Sequence, residues 1–437
     1  MKIRKILAAI TSVALVGTML AGCNNDNTSS GGDNSPAGNN GSTSNDNNGS
    51  TPAATENPEK DVKLKVWYPS EEKAMVEKLC EEFKAAHPDQ NIEFTYGVVG
   101  GDAAKDEIIK DKDNAADVFF FSPDHTEAMV DAGVIAPVTR NKQTIIDRNL
   151  EESSKSVTVG DELYGYPVNS KTYILYYDKS KFTEDEVKSL DTMVSKDLGG
   201  DVQYNVCIPL KNTWYTPMLF FPMGCTLTGS DPVICDFNSE AGMKAANYMV
   251  DLFANSKFCP DKDEMENMYG QLFKEGKIGA CVTGTWKAAE YQEALGENYA
   301  ATILPKATID GTEVQLGGFS QYNAMGVKAG SEFPITAADL ADFLTNKESQ
   351  KVRFDEISDS PTNKELAADS AALASNPAVA ANAAQCSFTN LQAGSMGEYW
   401  TVMSGVLDNI GTTITKDNIK EKMDEAVSQI TAGGLSS

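Results

Sequence analysis

Histidine is almost missing from this chain: His87 and His125 are the only two in 437 residues. A Ser-His-Asp triad would have to use one of them, and neither lies near a nucleophile-elbow pattern. No H-E-x-x-H, C-x-x-C or phosphate-loop pattern occurs. Val99–Asp102, reading V-G-G-D, is too short to cradle a phosphate. No metal or cofactor is therefore expected, and hydrolysis would have to rest on carboxylates alone. Positive charge is also scarce, with 37 Lys and Arg against 63 Asp and Glu and a formal net charge of −26. A body this acidic repels phosphate backbones and anionic lipid, so nucleic acid is not an expected partner. Tryptophan is limited to Trp67, Trp214, Trp286 and Trp400, so where those four fall carries information.

Long apolar runs are confined to the N-terminus. Lys2, Arg4 and Lys5 precede an apolar stretch from Ile6 to Leu20, shorter than a typical spanning helix, and Leu20-Ala21-Gly22-Cys23 follows. This resembles a bacterial lipoprotein signal, which implies cleavage before Cys23 and lipidation of its thiol. Residues 1–22 would be removed, taking three positive charges and no acids, and the mature charge becomes −26 − 3 = −29. Residues 23–60 are rich in Asn, Asp, Ser, Gly and Thr and cannot bury enough apolar surface to order themselves. They read as a flexible tether with a reach of about 35 Å. The anchored body would sit on the extracytoplasmic face of a cell membrane.

Seven further cysteines are present. Cys80, Cys207, Cys259, Cys281 and Cys386 lie singly in apolar or mixed segments and read as small buried hydrophobes. Cys225 and Cys235 flank a Gly-Ser-Asp-Pro turn, and a disulfide across that hairpin is the expectation to test.

The body shows strand–helix alternation. Val62, Leu64, Val66 and Tyr68 alternate as a strand, and Ser70 is placed to cap the helix carrying Met75, Val76, Leu79, Cys80 and Phe83. Val118–Phe121 is a continuous apolar run, as in a sheet covered on both faces. The alternation resumes from Val206 and closes in two amphipathic helices, from Tyr399 and from Asn418. This predicts an α/β fold of largely parallel sheets flanked by helices. Between the halves lies Glu162–Asp178, which holds five of the fifteen tyrosines. Pro167 keeps Tyr166 extended, Asn169–Thr172 is polar, and Tyr173–Tyr177 is apolar. This reads either as a crossover between two lobes or as a buried strand pair with ordinary tyrosine packing.

The tryptophans and acids favour a cleft. Ligands bind beyond the carboxyl ends of strands in open α/β sheets. Trp286 follows a strand after Gly284, and Phe121-Ser122-Pro123-Asp124 occupies the matching point in the first half. Aromatic faces beside hydroxyls and carboxylates suit a sugar.

From Val62 to Ile430 the chain resembles the bacterial extracellular solute-binding proteins of ABC importers, nearest the maltose/maltodextrin-binding group. The stretches that carry this are K-L-K-V-W, A-D-V-F-F-F-S-P-D-H, Y-G-Y-P-V-N-S-K-T-Y-I-L-Y-Y-D-K, K-I-G-A-C-V-T-G-T-W and E-Y-W-T-V. Each is loose, and their order over nearly the whole body is the specific part. The resemblance implies a two-lobed periplasmic-binding-protein-like fold that closes by hinge crossings on an oligosaccharide. It divides the body into 61–168 and 319–368 for the first lobe, and 169–318 and 369–437 for the second.

The resemblance also implies a ligand-binding set: Ser70, Glu71, Phe121, Asp124, Lys171, Trp214, Tyr215, Trp286 and Trp400. Two of these depart from the family pattern. Lys171 stands where an acid is usual, and Phe121 replaces a commoner tryptophan. His125 takes a place usually held by another basic residue. Capture without catalysis, delivery to membrane permease subunits and a monomeric state are expected. The alternatives are a lipid-anchored glycoside hydrolase, or the same scaffold binding a different oligosaccharide, a peptide or a polyamine.

Overall fold

The computed structural model describes residues 59–229, 233–261, 266–392, 394 and 396–432. Cys23 and the tether, apart from Glu59 and Lys60, lie outside the described residues. Among the described residues no helix is long and apolar enough to cross a membrane.

Two larger sheets organise the body. The first runs, in spatial order, Ser360–Pro361, Tyr166–Lys171, Gly318–Val327, Val118–Phe121, Asp61–Tyr68, Asn91–Val98, with the short Thr389–Leu391 strand added against Gly318–Val327. The second runs Phe258–Cys259, Tyr204–Cys207, Ile278–Gly284, Tyr173–Asp178, Tyr299–Thr302. Each sheet has one dominant strand direction. Gly318–Val327 reverses it in the first and Tyr173–Asp178 in the second, each antiparallel to both long neighbours. The reversed strands belong to segments that pass between the sheets, so a chain arriving from one lobe enters the other against its grain.

The crossover reading is the one the structure adopts. Tyr166–Lys171 lies in the first sheet and Tyr173–Asp178 in the second, with Thr172 alone between them. Thr172 is fully buried and hydrogen-bonded on both sides, its N–H donating to Asn382 Oδ1 at 2.9 Å and its hydroxyl to the Phe319 carbonyl at 2.8 Å. The expected boundary at 168 falls inside a strand; the change of sheet comes at Thr172.

Period-two burial explains why Tyr173–Tyr177 is apolar throughout. Tyr173, Leu175 and Tyr177 pack into one core of the second sheet, while Ile174 and Tyr176 pack into the core on its other face. The first sheet has its own core, built from Val62, Leu64, Val66, Phe119, Phe121, Val168 and Met325 among others.

Two local expectations are corrected. Ser70 does not cap the first helix. A short 3-10 turn, Ser70–Glu72, precedes Lys73–Ala86, and the Ser70 hydroxyl donates to Glu71 Oε2 at 3.1 Å. Cys225 and Cys235 are free thiols. The hairpin register sets Cys235 opposite Leu227, so the two cysteines are not cross-strand partners.

Candidate functional site

The site is assembled from strand ends. In the first sheet, Asp61–Tyr68 runs into the turn that carries Glu71, Asn91–Val98 leads to the Gly101–Lys110 helix with Asp102 in its first turn, and Val118–Phe121 leads to the Pro123–His125 turn with Asp124. In the second sheet, Tyr204–Cys207 leads to Asn212, Trp214 and Tyr215, Phe258–Cys259 leads to Glu266, and Ile278–Gly284 leads to Trp286. These are carboxyl ends of same-direction strands, where open α/β sheets bind ligands. Lys171 comes from the crossover strand and Gln321 from the return strand.

Nine of these side chains enclose one cavity of about 360 Å³: Glu71, Asp102, Lys171 and Gln321 from the first sheet's side, and Asn212, Trp214, Tyr215, Glu266 and Trp286 from the second's. Trp214 and Trp286 form its aromatic wall, with ring centroids 6.0 Å apart and planes at 44°. Tyr173 buttresses this wall from below, its ring 4.9 Å from those of Trp214 and Tyr215. Gly284 leaves room for this wall, because a side chain at that position would run into the Trp286 ring and displace it. The Lys171 ammonium sits 5.6 Å from the Trp286 ring centre and 5.5 Å from that of Phe120, within cation–π range of both.

Hydrogen bonds fix the polar groups. Tyr215 donates to Glu266 Oε2 at 3.2 Å, and Thr283 donates to Glu266 Oε1. Ser122 donates to Asp102 Oδ1 at 2.6 Å. Gln392 joins the two sides: its Oε1 accepts the Trp214 indole N–H at 2.9 Å, and its Nε2 donates to Asp124 Oδ2 at 3.1 Å. Burial pushes the Asp124 carboxyl above the usual carboxylate range, against the opposing pull of His125, whose Nε2 lies 3.8 Å from Oδ2. Asp124 Oδ1 and His125 Nδ1 are buried without a hydrogen-bond partner.

A buried ion cluster joins the turn that carries Glu71 to the Tyr166–Lys171 strand that carries Lys171. Arg353 is fully buried, pairs with Glu72 and lies 3.8 Å from Asp359. Asn169 of the crossover strand donates to Asp359 Oδ2 at 2.7 Å.

Five of the nine residues expected from the sequence, namely Glu71, Lys171, Trp214, Tyr215 and Trp286, meet in the cavity. Asp124 reaches its aromatic wall through Gln392. Ser70 is exposed beside Glu71. Two residues lie elsewhere. Phe121 is fully buried in the first core, its ring 5.8 Å from that of Phe119. Trp400 is half-buried on the Tyr399–Asn409 helix, packed against Tyr399 and Phe319 at 5.1 and 6.3 Å, and does not line the cavity. Sequence reasoning missed Asp102, Asn212, Glu266, Gln321 and Gln392. Position beyond a strand end was an available signal for Asp102, Asn212 and Glu266, whereas Gln321 and Gln392 carry none.

Comparison with known proteins agrees with this architecture. The profile of the family described as bacterial extracellular solute-binding protein matches residues 78–381. The chain belongs to that family. Among relatives, a galactooligosaccharide-binding protein of Bacillus subtilis strain 168 is 27% identical over 288 residues, covering 63% of this chain and 67% of the relative. A maltooligosaccharide ABC transporter solute-binding lipoprotein of Streptococcus pneumoniae strain R6 is 23% identical over 237 residues, 49% of this chain and 53% of the relative. A solved structure described as being with acarbose is 33% identical, covers 85% of this chain and 98% of its own, and superposes with a TM-score of 0.77. The family is one of extracellular solute-binding proteins, and its two-lobed fold is the one described above.

Proposed function

We propose that this solute-binding protein captures a neutral oligosaccharide, foremost a maltodextrin, between its lobes and delivers it unchanged to an ABC permease. The observation that carries this reading is the Trp214–Trp286 wall facing a rim of Glu71, Asp102, Asn212, Glu266 and Gln321. Such a wall presents ring faces to the C–H face of a pyranose, and the rim offers the donors and acceptors that sugar hydroxyls need. The names of the oligosaccharide-binding relatives point the same way.

In this reading Glu71, Lys171, Trp214, Tyr215 and Trp286 touch the sugar, Ser70 and Asp124 sit at the rim, and Phe121 and Trp400 are structural. The lobes are 61–171 with 318–368, and 173–317 with 369–432, whose Thr389–Leu391 strand reaches across to pair with the first sheet, and they are hinged at Thr172 and at the entry to Gly318–Val327. A ligand touching both lobes stabilises the closed form by its differential affinity. Cys23 carries the lipid anchor, with two or more acyl chains needed for durable attachment, and the protein acts as a monomer on the outer face of the membrane.

Intrinsic tryptophan fluorescence titrated with maltotriose and with galacto-, xylo- and manno-oligosaccharides tests the reading. Saturable binding near micromolar affinity, about −8 kcal/mol, with unaltered glycan after long incubation supports it. No response to any of these sugars, or release of shorter products, overturns it.

A further inference from the structure

Three cysteines lie side by side on adjacent parallel strands of the second sheet. Cys259 is in register with Cys207, and Cys207 with Cys281. All three are buried in the same core, on the face that also packs Ile174 and Tyr176. Neighbouring strands stand about 4.8 Å apart, inside the Cα separation of about 4.4–6.8 Å that a disulfide accepts. All three thiols are free. Each strand continues into a segment that reaches the cavity: Cys207 towards Trp214, Cys259 towards Glu266 and Cys281 towards Trp286.

We propose that Cys207 and Cys259 are an oxidisable pair, which a peroxide converts to a disulfide joining two strand ends beneath the cavity while Cys281 stays a thiol. The inference is independent of which solute the cavity takes. The geometry gives Cys207 two neighbours, and the environment chooses between them. The adjoining Cys207 thiol holds the Cys259 thiol below its ordinary range. Burial pushes the Cys207 and Cys281 thiols well above theirs. Cys259 is therefore the richest of the three in thiolate, the nucleophilic form. The Cys259 thiol also donates to Asp261 Oδ2 at 3.8 Å, and that carboxylate opposes the shift without reversing it.

The chemistry closes without further reactants. The Cys259 thiolate attacks one peroxide oxygen, the O–O bond breaks, and a sulfenic acid and hydroxide result. The Cys207 sulfur then attacks the Cys259 sulfur, the S–O bond breaks, and water leaves. Two thiols lose two electrons, the peroxide gains them, and both thiol protons end in the two waters. With Cys259 only 1% exposed, entry of peroxide requires local opening of the strand edge, so the reaction is slow.

The test treats the full chain, purified reduced, with hydrogen peroxide, alkylates the remaining thiols and maps the peptides without reduction. The expected result is a Cys207–Cys259 linkage with Cys281 alkylated. Cys281→Ser should keep that linkage. Cys207→Ser should abolish it and carry Cys259 on to sulfinic acid, with an unchanged circular dichroism spectrum. No linkage, a Cys207–Cys281 linkage, or a Cys225–Cys235 linkage in its place would overturn the assignment. The wild-type map decides the matter alone if either variant fails to fold.

Discussion

Trp214 donates its indole N–H to Gln392, and the other end of the same amide holds Asp124. One side chain, 4% exposed, thereby satisfies a group from each side of the cavity and ties the second sheet's aromatic wall to the first sheet's acidic turn. Gln392→Leu keeps the volume and removes both bonds. It leaves a half-buried N–H and a buried carboxylate oxygen unpaired, which should destabilise the chain by about 1–3 kcal/mol and raise the radius of gyration of the sugar-free protein. Urea denaturation with small-angle scattering measures both. A loss under about 0.5 kcal/mol with an unchanged radius would show that the bridge holds nothing together.

Phe121 is a core residue, and its substitution should separate stability from binding. Phe121→Ala should lower stability by about 3–5 kcal/mol through lost transfer energy and a cavity. Phe121→Leu should lower it by less, with sugar affinity within threefold of wild type. A tenfold loss of affinity in the leucine variant, with the fold intact, would return Phe121 to the binding site.

The reason Phe121 was misplaced says what this sequence reveals. The V-F-F-F strand is apolar at every position, so no alternation tells which ring faces the core and which approaches the cleft. Phe120, one residue earlier, is the ring beside Lys171. The crossover was readable because a proline, a polar break and an apolar run fall together within Tyr166–Asp178. Trp286 was readable because a strand signal ends at Gly284 directly before it. Sheet order was not, because the return strand pairs with residues about 150 positions away, as Asn323 does with Asn169. Nor was Gln392, a glutamine in a segment with no periodic pattern. The Cys225–Cys235 expectation failed on register, which composition around a turn does not specify.

If the aromatic wall grips the sugar, the tryptophans should differ in weight. Trp286→Ala should raise Kd at least tenfold, about 1.4 kcal/mol. Gly284→Ala should raise it in the same direction by displacing the Trp286 ring. Trp400→Ala should stay within threefold, because that ring packs on Tyr399 and Phe319 away from the cavity. Isothermal titration calorimetry with the preferred sugar ranks them, and a Trp400 effect equal to that of Trp286 would place the ligand elsewhere.

Asp124 gives a pH signature with a defined sign. Its carboxyl is raised in the folded chain, chiefly by burial. The native state therefore holds this proton more firmly than the unfolded chain does. The resulting stabilisation is full below the unfolded value near 3.9 and is lost as pH rises through the folded value. Asp124→Asn keeps an acceptor for Gln392 and cannot ionise. The variant's stability relative to wild type should therefore shift in its favour between pH 3.5 and pH 7, other carboxylates cancelling in the difference. Urea midpoints across that range check it, and a difference that is flat or moves the other way contradicts the burial argument.

The buried ion cluster beside the Glu71 turn makes a demand on stability as large as that of Phe121. Arg353 is fully buried between Glu72 and Asp359, and burial pushes both carboxyls up while the guanidinium pulls them back. Removing the cation alone strands two acids out of water. Arg353→Met should therefore cost about 3–5 kcal/mol, as breaking a buried pair does. Glu72→Gln combined with Asp359→Asn in the same chain should recover much of that loss, because the remaining groups are neutral and still hydrogen-bond. The recovery distinguishes charge from packing: a triple variant as unstable as Arg353→Met alone would mean that the lost contacts of the arginine stem, and not its charge, hold the crossover strand against the turn that carries Glu71.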